Sequence, residues 1–174
     1  MRNFLVLTLI MTLCGVAQAN AEDWRAAAEK HTVEIANFTF HTGETLPSIT
    51  MTYYTLGTPQ RDEDSKITNA VMLLHGTGGN GQSLLRPSFG DELFGPGQPL
   101  DLARFYIISP DNLGHGESSK PSDGLRANFP RYDYDDMVDA QYRMLSEGTD
   151  VSGLEMIVGT SMGCMHSFVW GETY

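Results

Sequence analysis

Cysteine is nearly missing from this 174-residue sequence, and basic residues are half as common as acidic ones. Of the 2 cysteines, Cys14 sits in an apolar run near the start and Cys164 stands alone beyond it. A chain with one thiol after that run has no intramolecular disulfide, so its fold must rest on a hydrophobic core. Lys and Arg number 11 against 22 Asp and Glu, a net charge of −11. Such a surface repels phosphate and argues against a nucleic-acid partner. No apolar run reaches the ~20 residues that a membrane span requires. Internal repeats and low-complexity segments are absent, and His31, His41 and His75 lack the spacing of metal ligands, so no metal is expected. What remains is 41% hydrophobic and only 19% charged, well away from disordered chains and consistent with a single folded domain.

The start of the chain is expected to lie outside that domain. Arg2 precedes an apolar run from Phe4 to Ala17, which ends in small residues that fit a cleavage pattern twice, at Ala17-Gln18-Ala19 and Ala19-Asn20-Ala21. Residues 1–21 therefore read as a secretory signal peptide, with an uncleaved anchor as the alternative. Leu13 stands before Cys14 where a lipid-attachment signal would have a small residue. The expectation is a periplasmic or secreted domain over 22–174, with no membrane contact once the signal is removed.

Residues 22–31, rich in Ala, Glu and Lys, predict a short helix. The segments 32–40 and 49–57 have strand character with turn chemistry between them, which predicts a hairpin. AVMLL (70–74), FYIIS (105–109) and LEMIV (154–158) are continuous apolar runs of the kind buried on both faces of a sheet. Between the last two, 132–148 places Met137, Ala140, Tyr142 and Met144/Leu145 near helical spacing, with Asp135, Asp136 and Asp139 toward the positive end of the helix dipole. Gly148 is expected to close that helix in a left-handed conformation. Strands alternating with helices predict an α/β fold whose mostly parallel sheet begins with an antiparallel hairpin.

The chemistry is concentrated in Gly159-Thr160-Ser161-Met162-Gly163. LEMIV runs straight into this GxSxG pattern, and CMHSFVW continues with helical character, which is the nucleophile-elbow arrangement. A sharp strand-to-helix turn strains the serine backbone and needs small flanking residues, here Gly159 and Gly163. It would present the Ser161 hydroxyl as a nucleophile and aim the Met162 N–H, at the start of the new helix, toward a developing oxyanion. Met162, Met165 and Val169 are expected to form the inward stripe of that helix.

Acyl chemistry needs a second oxyanion donor, normally from the loop after the third strand. His75-Gly76-Thr77-Gly78-Gly79 follows AVMLL, and Thr77 is the candidate. The same loop spells GTGGNG and so satisfies the GxGxxG of dinucleotide sites, but those glycines must open a continuous helix with an acid about 20 positions on. Pro87, Gly90, Gly95, Pro96 and Gly97 are expected to break any helix there, and the next strand-end acid, Asp111, lies too far on. Asp111-Asn112-Leu113-Gly114-His115-Gly116-Glu117-Ser118 follows the FYIIS strand. Asp111 and His115 precede Ser161, whereas triad partners in this arrangement follow the serine, so they read as loop-stabilising residues. His166 lies on the elbow helix and is expected to point away from Ser161. Cys164 has no activating neighbour in the sequence and reads as packing.

With strand-HGTGG, DNLGHGES and GTSMGC in this order, the chain resembles the α/β-hydrolase superfamily, and within it the homoserine O-acetyltransferase-like branch. TGETLPSITMTYYTLG is similar to that branch's opening hairpin, GPGQPLDLARFYIIS to its approach to the fourth strand, and FPRYDYDDMVDAQYRML to its helix before the elbow. The resemblance implies an α/β-hydrolase fold cut short after the elbow helix, with Ser161 as nucleophile and Thr77 and Met162 as the oxyanion hole. It implies a small-molecule acyl ester as substrate and no bound cofactor, and it leaves the oligomeric state open. Gly76-Thr77, Thr160 and Cys164 depart from the branch's acetyltransferase pattern, which shifts the expectation from acyl transfer to hydrolysis. A non-catalytic fragment is the third reading, because after Ser161 the sequence offers only His166 and Glu172, both on the elbow helix, as triad partners.

Overall fold

The computed structural model describes Trp24 and residues 27–174. The expected signal peptide and its cleavage sites lie outside the described residues. Five strands form one sheet: β1 (Glu29–Thr39), β2 (Thr45–Leu56), β3 (Ala70–Leu74), β4 (Tyr106–Pro110) and β5 (Leu154–Gly159). Their spatial order is β1-β2-β4-β3-β5. The β1–β2 hairpin joins the rest antiparallel through β2–β4, while β4, β3 and β5 run parallel.

Among the described residues three α-helices accompany the sheet: α1 (Pro87–Leu93), α2 (Tyr134–Gly148) and α3 (Met162–Thr173). The period-2 alternation of β3 sends Met72 and Leu74 into one core with Met137, Val138, Met144 and Trp170, and Val71 and Leu73 into another with Leu84, Phe94 and Phe105. β4 divides in the same way, Ile108 to the first core and Ile107 to the second. This is why both strands read as unbroken apolar runs: each face of the sheet has its own layer to bury against.

The structure corrects four expectations. Glu29, Lys30 and His31 belong to β1, where they pair with Thr55, Tyr54 and Tyr53, so the helix predicted over 22–31 does not extend through them; cross-strand pairing overrides the helix propensity of the segment. A helix does form at 87–93, because Pro87 occupies its first turn, where the missing N–H costs nothing. Gly90 is required there, since a Cβ on it would lie 2.4 Å from the Trp24 ring. Gly148 has no left-handed backbone and is instead the last residue of α2, with Thr149 as the cap. Its small size serves contact, since a Cβ there would approach the Val33 side chain to 2.9 Å. On α2 the inward face includes Val138 and Gln141, while Tyr142 turns outward.

α2 is anchored at its start by Asp133, which accepts from the Asp135 and Asp136 N–H groups, while the Asp136 carboxylate reaches back to Asp133 N–H in a capping box. Asp136 also accepts from His41 N–H at 2.7 Å, which ties this end to the β1–β2 turn.

Candidate active site

β5 delivers the chain into an abrupt turn in which Ser161 has φ 52° and ψ −115°, a conformation of the left-handed half of the map that non-glycine residues rarely adopt. Both flanking glycines are sterically obligatory. A Cβ on Gly159 would lie 2.1 Å from Gly163 O, and one on Gly163 would lie 2.1 Å from Leu74 O. Thr160 N–H donates to Leu74 O at 3.0 Å, which pins the turn to the end of β3. The helix then starts with Gly163 N–H to Thr160 O and Cys164 N–H to Ser161 O, both 2.9 Å. Among the described residues no backbone acceptor takes the Met162 N–H, which lies in the first turn of α3, at the positive end of its dipole. Ser161 is exposed.

The loop after β3 lies directly beside it. A Cβ on Gly76 would sit 3.1 Å from Ser161 Cβ and 3.8 Å from its Oγ, so the Gly76 backbone touches the serine. Gly79 N–H donates to Gly76 O at 2.9 Å, and Gly78 at φ 79° completes the turn. Thr77, at the crest of that turn, is exposed, and its N–H also has no backbone acceptor among the described residues. The candidate nucleophile and the loops carrying both candidate donors therefore meet at the C-terminal ends of the parallel strands. Here β3 continues toward β4 on one side and the chain later returns to β5 on the other, the switch point at which open α/β sheets place their ligands.

Asp111 and His115 take up the loop roles expected of them. Asp111 is buried, and its carboxylate accepts from Gly81 N–H and Glu117 N–H, each at 2.6 Å. The loop after β4 thereby clamps the loop after β3. His115 Nδ1 lies 3.2 Å from Leu113 O, and its ring meets that of His75 edge-on at 5.2 Å. His75 is buried with both ring nitrogens engaged: Nε2 accepts from Asn112 N–H at 3.1 Å and Nδ1 faces Gly76 O at 2.8 Å. Because Nε2 accepts, the proton is on Nδ1, which donates to Gly76 O. Burial lowers the His75 pKa below its ordinary value and keeps this neutral form.

His166 faces α2, not the serine, with Nδ1 3.1 Å from Gln141 Nε2. Burial, with smaller contributions from His75 and His115, brings its pKa down to about 4. The inward stripe of α3 is Met162, His166 and Trp170; Met165 points outward, a correction to the expected stripe. Cys164 is a half-buried free thiol. Gln141 and Asn112 escaped the sequence reading, although a glutamine between Met137/Val138 and Met144/Leu145 on the apolar face of a helix signals a buried hydrogen-bonding role. Away from the site, His41, Asp133 and Asp135 bring ligand-type atoms within 4.8 Å of one another on the surface. The capping box and the His41–Asp139 contact of 3.1 Å explain that proximity.

The profile of a family described as alpha/beta hydrolase fold matches residues 69–174. A protein of Methanothermobacter thermautotrophicus named probable acyltransferase is 33% identical over 142 residues, which cover 81% of this chain and 43% of that protein. Homoserine O-acetyltransferase of Thermobifida fusca is 31% identical over 147 residues, covering 76% of this chain and 38% of the relative. Among solved structures, an acetylester hydrolase from Corynebacterium glutamicum superposes with a TM-score of 0.69 at 26% identity, across 82% of this chain and 40% of that one. The chain spans about two-fifths of the length of the curated relatives it matches.

Proposed function

Because the chain belongs to the alpha/beta hydrolase fold family, we propose that it carries the nucleophile half of a serine-dependent acyl-transfer site of the esterase type. The observation that supports this most is the strained Ser161 backbone held between two sterically obligatory glycines. Nothing in packing alone calls for that strain, and it is the cost of lifting a hydroxyl clear of the sheet.

In this reading the Ser161 oxygen attacks the carbonyl carbon of a small acyl ester, and the negative charge that forms on the carbonyl oxygen is received by the Met162 and Thr77 N–H groups. Collapse expels the alcohol and leaves the acyl group on Ser161; water then attacks the acyl-enzyme and releases the acid. Proton transfer needs a base. His75 is committed on both nitrogens and His166 is committed to Gln141, so neither of these buried histidines is free to serve. The chain alone is accordingly expected to react once with an activated acyl or phosphonyl probe but not to turn over. We place the protein in the periplasm or the secreted fraction, on the strength of residues 1–21.

The second reading, transfer of the acyl group to an amino-acid hydroxyl, is favoured by the names of the curated relatives. It differs only in the acceptor. A serine-directed fluorophosphonate should label the wild-type chain at Ser161 and fail to label Ser161→Ala; equal labelling of both would remove the nucleophile assignment. In a full-length relative carrying this site, release of acid without added homoserine supports hydrolysis, and product only with acetyl-CoA and homoserine supports transfer.

A further inference from the structure

Behind the serine runs a chain of buried polar contacts that joins four separate segments. The indole of Trp170 on α3 can only donate, so Gln141 on α2 must turn its Oε1 toward it, at 2.7 Å. The Gln141 amide nitrogen then faces the opposite way and donates to Asn112 Oδ1 at 2.7 Å and to His166 Nδ1 at 3.1 Å. Each orientation follows from the one before. His166 accepts on Nδ1 and carries its proton on Nε2, and Asn112 presents its oxygen to Gln141. The Asn112 backbone N–H in turn donates to His75 Nε2, which leaves His75 to donate from Nδ1 to Gly76 O, and Gly76 is the residue that touches Ser161.

The side chains in this network are buried, those of Gln141, Asn112, His75 and His166 completely so. Burying so many polar groups is expensive, and apolar side chains of similar volume would join the same elements at lower cost. Asn112 Nδ2 and His166 Nε2 are even buried without a protein partner among the described residues, which adds to that cost. What the polar chain provides and an apolar one does not is direction, because each donor fixes the orientation of the next acceptor.

We propose that Gln141 is a positioning residue for the acyl-transfer site, the hub through which the elbow helix and the loop after β4 hold His75, and with it the Gly76–Thr77 backbone, in place against Ser161. The inference rests on the proposed function for its catalytic meaning and on geometry alone for its structural content. The side chain of Gln141 bonds Asn112, His166 and Trp170, so it acts on the site through Asn112 and His75.

The test compares the full chain with Gln141→Leu and Gln141→Glu by nitrogen-15 spectroscopy of the imidazoles and by fluorophosphonate acylation. In the wild type, His75 should carry its proton on Nδ1 and His166 on Nε2. In Gln141→Glu the carboxylate can still accept from Trp170 but gives His166 an acceptor instead of a donor, so His166 should titrate above its ordinary 6.5 instead of near 4. In both variants the His75 signals and the Gly76 and Thr77 amide resonances should move. Acylation of Ser161 should slow by roughly tenfold or more in Gln141→Leu, in the covalent step and not in probe binding, as expected for a displaced reacting geometry. Folded variants with unchanged His75, Gly76 and Thr77 signals would overturn the proposal, as would an unchanged acylation rate. A wild type that is never acylated supports the reading of the chain as a non-catalytic fragment, and the spectra then decide the role of Gln141 by themselves.

Discussion

β4 and β5 are built from similar apolar residues, yet they occupy opposite situations. β4 is paired on both edges and its Ile107 and Ile108 are fully buried, one in each core. Among the described residues β5 pairs on one edge only, with β3, and Met156 on it is 46% exposed. The helix that follows β5 shares this condition: Phe168 is 68% exposed, and a groove of about 540 Å³ opens between β5, α3 and the end of α2, lined by Leu154, Met156, Ile157, Tyr142, Trp170 and Tyr174 among others. An apolar run thus states a demand for burial, while the supply depends on which neighbours the topology brings. The candidate site lies on the boundary, with its loops from the closed side and its serine from the open one.

The largest difference between the two sides should appear on truncating the centre. Ile108→Ala removes a fully buried side chain and should cost roughly 2–5 kcal/mol, read as a lower urea midpoint at unchanged slope. A loss below about 1 kcal/mol would show that the closed side is less tightly packed than its burial indicates.

Acid should loosen the seam between the sides. His166, on α3 against α2, stays neutral in the folded state down to about pH 4 because it is buried, while in the unfolded chain it takes a proton near its ordinary 6.5. The unfolded state therefore binds more protons between these values. Stability is fully present above about 6.5 and falls as the pH drops toward 4, by roughly 2–3 kcal/mol from this residue. His75, also lowered by burial, acts in the same direction. A urea midpoint independent of pH from 7 to 4 would contradict a neutral buried His166.

The smallest effect on stability belongs to the open side. Phe168→Ser should change the unfolding free energy by no more than about 0.5 kcal/mol. It should nevertheless reduce self-association in sedimentation velocity, because an exposed apolar patch favours association. A large loss of stability would mean that Phe168 packs on something in solution.

How much of this could be read from the sequence follows from how local each signal is. The runs at 70–74 and 154–158 match β3 and β5 to within a residue, because strands announce themselves by composition; the burial on both faces expected of both holds for β3 and not for β5, which has no fully buried residue. The elbow was equally legible, since its steric demand falls on glycines two positions from the serine. Glu29–His31 misled because helix propensity is local and strand pairing with Tyr53–Thr55 is not. Gly148 and Gly90 look like helix breakers in sequence, and only their contacts with Val33 and Trp24 explain them. Gln141 needed Trp170, Asn112 and His166 to be brought together from positions up to 29 residues away before its role became visible.

The placement of the 2 tryptophans has an optical consequence. Trp24 packs edge-on against Phe94, 5.2 Å away, in the layer with α1. Trp170 lies in the opposite layer, its indole bonded to Gln141 and its ring beside Tyr142 and Tyr174. Each face of the sheet thus carries one fluorophore, so emission from the two single-tryptophan forms resolves, layer by layer, whether the molecule melts as one unit or opens first behind the serine.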